Sequence, residues 1–147
     1  MADFQTVAGS KVSISAAAPA TATVAGFAAL TWTEVGKLTS IGGVRGRTYA
    51  TSTLSTIGDA QDREKKGSFK LPNAVFECAW DEDDIGQGLI QAGANNNAMY
   101  SFKVVKQDGK IRYFTAQIME FVENNGTSND IVKGSFTLLR QTDTISA

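Results

Sequence analysis

Between two stretches patterned like β-strands, this chain carries roughly twenty residues with almost nothing to bury, longer than the connections a compact domain normally tolerates. Residues 32–71 read WTEVGKLTSIGGV, then RGRTYATSTLSTIGDAQDREKKG, then SFKL. A loop of that length is expected to be either disordered or functional. The fold must therefore be one that can hold out a long polar excursion between early strands.

Little else in the sequence offers chemistry. The 147 residues fit one domain spanning 1–147, with 14 basic against 15 acidic side chains, so no net field favours nucleic acid or anionic lipid. Histidine is absent, which removes the usual general base and the commonest metal ligand. The one cysteine, Cys78, lies in an apolar run and reads as a buried thiol, consistent with a reducing compartment. A serine nucleophile would need a lysine base, and no such motif is present. The chain is therefore expected to have no catalytic residue, cofactor or metal. Residues 16–30 (AAAPATATVAGFAAL) lack the basic start and timing of a signal peptide and read as an extended or loop-like run of small side chains. No run is long enough to span a membrane.

The remainder reads as strands around one helix. Residues 11–15 alternate as a half-buried strand does, and alternation from 32 to 44 leaves neither face uniformly apolar. Strands are expected at 68–71 and 74–80, then a helix over 81–94 with Asp81 as N-cap. Residues 99–106 and 110–122 form a predicted hairpin about Asp108-Gly109; a two-residue turn there sets Val104 opposite Tyr113. The last strand is expected over 131–140, with Val132, Phe136 and Leu138 inward and a polar tail that frays without a partner. The strand spacing of Tyr100, Phe102, Tyr113, Phe114, Phe121 and Phe136 favours core packing over base stacking.

Candidate motifs dissolve under inspection. The run Asp81, Glu82, Asp83, Asp84 fails as a calcium loop because Ile85 and Ala92 occupy ligand positions. Gly36-Lys37 is followed by Leu38 where a phosphate loop needs Ser or Thr. Arg45-Gly46-Arg47 is a weak phosphate signal in a near-neutral chain. Asn125-Gly126-Thr127 means a polar turn.

One asymmetry survives. In the long segment Arg45, Arg47, Arg63, Lys65 and Lys66 outnumber Asp59, Asp62 and Glu64, whereas Glu77, Asp81, Glu82, Asp83 and Asp84 form an acidic block. Opposite patches on a neutral molecule suit head-to-tail self-association. Arg45, Arg47, Asp59, Arg63, Lys65, Lys66, Glu77, Asp81, Asp83 and Asp84 are thus candidate inter-subunit residues, with Arg63, Lys65 and Lys66 expected to meet the acidic block of a neighbour.

In order and spacing, the sequence resembles the tail tube (major tail) proteins of long-tailed, siphovirus-type bacteriophages. The likeness runs through GFAALTWTEVG at 26–36, LTSIGG at 38–43, the Thr/Ser-rich TSTLS at 51–55, an Asp-rich helix start, QGLIQA at 87–92, and an Asp-Gly hairpin before a closing strand. It implies a mainly β fold: a β-sandwich with one flanking α-helix and a long inter-strand loop, its strands joining neighbours into a β-barrel ring. It implies a structural virion protein whose hexameric rings stack into the tube that delivers the genome, assembled in the host bacterial cytoplasm. Residues 45–67 would be the stacking loop, and 1–10 and 141–147 terminal arms. Partners would be further copies of itself, a tape-measure protein, a tail terminator and tail-tip proteins, with DNA only passing through and no membrane. The alternatives are a tail terminator or completion protein forming a single ring, and a small nucleic-acid-binding β-barrel, which the balanced charge disfavours.

Overall fold

The computed structural model describes residues 5–147; the first four residues of the expected N-terminal arm lie outside it. The chain runs β1 (Lys11–Ser15), α1 (Val24–Ala28), β2 (Thr33–Val35), β3 (Leu38–Ser40), β4 (Thr48–Leu54), β5 (Arg63–Lys70) and β6 (Ala74–Ala79). It continues through α2 (Ile85–Ala94), β7 (Tyr100–Val105), β8 (Ile111–Asn124), β9 (Lys133–Arg140) and β10 (Ile145–Ser146).

Eight strands make one antiparallel sheet ordered β2-β1-β7-β8-β9-β6-β3, with β10 also paired to β8. Strand β8 is the pivot. Its residues 111–116 pair with β7 and its residues 116–124 with β9, with a bulge between Ile118 and Glu120. A bulge sharpens twist and bends a strand. The sheet accordingly folds over, so that Val12, Ile14 and Phe102 on one half and Phe76, Phe136 and Leu138 on the other share one core. The result is the expected mainly β sandwich. Its hydrogen bonding does not close into a barrel, yet its two edge strands, β2 and β3, are joined by only Gly36 and Lys37.

That junction explains why residues 32–44 do not form one strand. Lys37 has φ +59°, the left-handed region that turns a chain sharply. Beyond it β3 pairs with β6 while β2 pairs with β1, at opposite edges of the sheet. Neither face of this segment is uniformly apolar because its two halves belong to different edges.

Helix α2 closes this end of the sandwich. Asp84, not Asp81, is its N-cap, accepting hydrogen bonds from Gln87 N and from Gly36 N, both at 3.0 Å. Any of four consecutive acids could cap; tertiary contact with Gly36 selects the last, and Asp81 is left to bind Lys37 Nζ at 2.8 Å. Gly86 lets the helix approach, since a Cβ there would lie 2.7 Å from Val35 Cα. Gln87, 3% exposed, donates to Gly36 O and Ala79 O and accepts from Asp81 N, tying the β2–β3 junction and the end of β6 to the helix.

The β7–β8 turn has three loop residues. Lys106 N donates to Lys110 O, Gly109 takes φ +88°, and Val104 pairs with Arg112 rather than Tyr113. One extra loop residue shifts the register by one and turns each partner to the other face. Tyr113 consequently points outward, where it stacks on Phe27 with ring centres 5.2 Å apart. Residues 16–30, expected to be loop-like, include the short helix α1 and cover this outer face, with Ser101 Oγ donating to Ala17 O. The strand expected over 131–140 is β9 and starts at Lys133, with Phe136 and Leu138 buried, while Val132 O accepts from Trp80 N just outside it. The polar tail does not fray: Ile145 and Ser146 pair with Tyr113 and Arg112.

Candidate functional site

The long polar segment is a hairpin. β4 and β5 form a separate two-stranded sheet, and every residue in both strands is exposed. The expected strand at 68–71 is the end of the eight-residue β5. Three Thr and a Tyr in β4 supply β propensity while every residue stays exposed, which is why the segment reads as loop yet pairs as strand. At about 3.4 Å per residue, β4 alone extends about 24 Å. An isolated two-stranded hairpin is marginally stable in water, so its base has to be anchored.

Two devices anchor it. On one face Tyr49 and Phe69 pack with centroids 5.8 Å apart, the Arg47 guanidinium sits 4.3 Å over Phe69, and Lys66 Nζ 4.7 Å over Tyr49. Cation–π contacts of this kind are worth about 0.5–1 kcal/mol at exposed sites. The second device is the tail. Asp143 pairs with Arg47, whose Nε lies 3.3 Å from Asp143 Oδ1, and Thr144 Oγ1 donates to Val44 O. Arg140, 4% exposed, donates to Gly46 O and Thr144 Oγ1. The hydrogen bond to Asp143 raises the Arg47 pKa above its ordinary value, and the reciprocal bond holds Asp143 below the usual carboxylate range. Burial lowers the pKa of Arg140.

The candidate inter-subunit residues divide between two poles of the body. Strand β6 begins at Ala74, just after the hairpin, and ends at Ala79, just before the acidic block. Its six residues separate the two by about 20 Å. At the hairpin pole, Arg45 is exposed at the base, and Asp59 lies near the tip, 3.6 Å from Arg63. Register places Arg63, Lys65 and Lys70 on one hairpin face, opposite Leu54, Ser52 and Thr48, with no acid among them. Lys66 is on the other face. At the acidic pole Asp81 is engaged by Lys37, and Asp84 by the helix; Asp81 is held below its ordinary pKa by that lysine. Asp83 is exposed, and Glu77 lies on the outer face of β6 opposite Ser135. Within one chain the basic face and the acidic block do not meet. Asp143, Tyr49, Phe69 and Lys70 belong to this surface but carry no sequence signal: Asp143 is 96 residues from its partner.

The outer face of β6, β9 and the second half of β8 adds a further uncovered surface, where Val75 and Val122 are 47% and 42% exposed. At the hairpin pole the sandwich opens into a cavity of about 360 Å³ lined by Ile41, Val44, Arg45, Val104, Lys106 and Arg112, among others. No group of three or more potential metal-ligating side chains occurs among the described residues, and no helix there is long and apolar enough to cross a membrane.

No protein-family model matches the chain, and no curated protein matches it in sequence. Solved structures do resemble it. A chain in the 6-fold symmetrised baseplate of the anti-feeding prophage superposes with TM-score 0.67 at 9% identity, over 100% of this chain and 97% of that one. A chain in the sheath/tube terminator of the PVC extracellular contractile injection system, in its extended state, gives 0.63 at 12%, covering 99% and 98%. A chain in the tube-terminating cap of the anti-feeding prophage gives 0.58 at 12%, covering 100% and 94%. At such identities the likeness is one of fold.

Proposed function

We propose that this chain is a structural, non-catalytic subunit of a tail tube or tube-like assembly, stacked copy on copy through the β4–β5 hairpin. The observation that carries the proposal is the hairpin itself, exposed on both faces at the pole opposite the acidic block. A protruding, basic two-stranded ribbon that gains little by folding on its own chain is suited to a surface on the next copy. The fold likeness to chains from contractile injection particles supports the same reading, as does the resemblance of the sequence to long-tailed phage tube proteins.

In this reading copies close laterally into rings, hexameric by the resemblance, and neighbours' edge strands complete a barrel wall. Joining edges in this way removes the unpaired backbone groups that an open sheet exposes. Residues 45–67 stack rings, and residues 1–10 and 141–147 make contacts between them. The tube is a conduit for genome delivery in a virion tail, assembled in the bacterial cytoplasm with tape-measure, terminator and tail-tip proteins. Whether the tail belongs to a siphovirus-type phage or a contractile particle separates two versions of the same role.

A second reading, a terminator that forms one ring and stops, is favoured by the likeness to chains from a terminator and a cap. Sedimentation velocity over a concentration series decides between the two. Open growth gives boundaries that broaden and quicken with concentration, whereas a single ring gives one discrete species.

A further inference from the structure

The cavity at the hairpin pole is the open mouth of the sandwich, at the end of β6 away from α2. Its floor reaches Val104, a core residue, and its rim carries Arg45, Lys106 and Arg112, with no acid among the described lining residues. It continues into a groove of about 240 Å³ between residues 7–10 and the outer edge of β3, which pairs with no further strand among the described residues; the two share Val7, Ser10 and Ile41. An apolar floor inside a cationic rim fits an occupant with an apolar tip flanked by carboxylates.

The hairpin tip has that composition. Ile57 is 108% exposed, the most exposed large hydrophobic side chain among the described residues. Asp59 and Asp62 flank it, held in place by Thr56 and Ser55. The turn over residues 55–62 carries these two acids and no basic side chain, with Arg63 at its base 3.6 Å from Asp59, and the ribbon face behind it is basic. We propose that the tip of one copy seats in the mouth of a second copy, Ile57 entering toward Val44 and Val104, with Asp59 and Asp62 facing Arg45, Lys106 and Arg112. This deepens the stacking role proposed above and rests on it. The lengths agree. A hairpin of about 24 Å laid along the β3 edge, tip in the mouth, spans the roughly 20 Å of β6 and brings its basic face past Glu77 toward the acidic pole. Seating one isoleucine is worth more than a factor of ten in affinity.

The test mixes two full-length single variants, Ile57→Cys and Ser10→Cys, under mild oxidation. Ile57 and Ser10 belong to opposite ends of the contact, so the expected product is a mixed 57–10 disulfide that forms faster than either homodimer. A second arm uses charge. Asp59→Lys/Asp62→Lys should weaken self-association at least about tenfold with an unchanged melting temperature, and Arg45→Glu in the same chain should recover most of the loss. Assembly at wild-type strength by the tip variant, or no mixed disulfide from protein that visibly assembles, overturns the docking while leaving the stacking role intact. A wild-type chain that does not self-associate at any concentration overturns both.

Discussion

Gln87 is the residue through which the fold depends most on one side chain. Its amide bridges Gly36, Ala79 and Asp81, so it holds the β2–β3 junction and the end of β6 against α2. Gln87→Leu keeps the size but leaves two carbonyls and an N–H without partners. Each orphaned group costs about 1–3 kcal/mol, and thermal or urea unfolding should show a loss in at least that range. A near-neutral Gln87→Leu would mean that the junction and the end of β6 are held by other contacts. Acid titration gives a second residue-scale prediction. Asp143 and Asp81 have folded pKa values lowered by Arg47 and Lys37. A lowered folded value stabilises above the unfolded value near 4 and is lost as pH falls through the folded one. Melting temperature should therefore drop as pH is taken from about 5 to 2, and Asp143→Asn should flatten part of that slope while speeding amide exchange around 47–48 and 69–70. An unchanged slope would remove the Arg47–Asp143 pair from the account.

At the scale of elements, the hairpin and the body should behave as separable parts. Deleting residues 52–66 removes only exposed chain, so the melting temperature should move little while assembly is lost; tubes of normal length from the deletion would contradict the stacking role. Helix α2 behaves oppositely. Gly86→Val forces a side chain against Val35 Cα, and overpacking of that kind costs about 1–3 kcal/mol. Legibility in the sequence follows the same division. Core strands announced themselves by period, and the Asp108-Gly109 hairpin by its turn residues, because local chemistry decides both. The register of that hairpin did not, since one more loop residue leaves the same composition but points Tyr113 outward. The choice of Asp84 over Asp81 as cap is decided by Gly36, 48 residues away. Three Thr and a Tyr in β4 carry strand propensity without burial, so the candidate surface was visible as an unburied segment but not as a ribbon. The clasp made by Asp143 and Thr144 had no local signal.

For the whole molecule, the separation of charge between poles predicts which substitutions act across copies. Arg63 and Lys65 share a hairpin face, while Lys66 is committed to Tyr49 and Asp84 to the helix cap. Reversal at Arg63 and Lys65 should therefore block assembly, and a compensating Glu77→Lys/Asp83→Lys chain should restore it in part. Exposed pairs are worth only about 0.2–1 kcal/mol each, so the effect comes from their sum and should fade at high salt. A double-reversed mixture that assembles no better than the single would remove the acidic pole from the interface. Electron microscopy of the purified full-length protein over a concentration series shows whether the hairpin serves to contact the next copy of the same chain. A hairpin with that role gives rings that stack into tubes of constant diameter, with hairpin density bridging successive rings. A monodisperse single-copy particle at every concentration, or tubes whose rings touch without the hairpin, would contradict it.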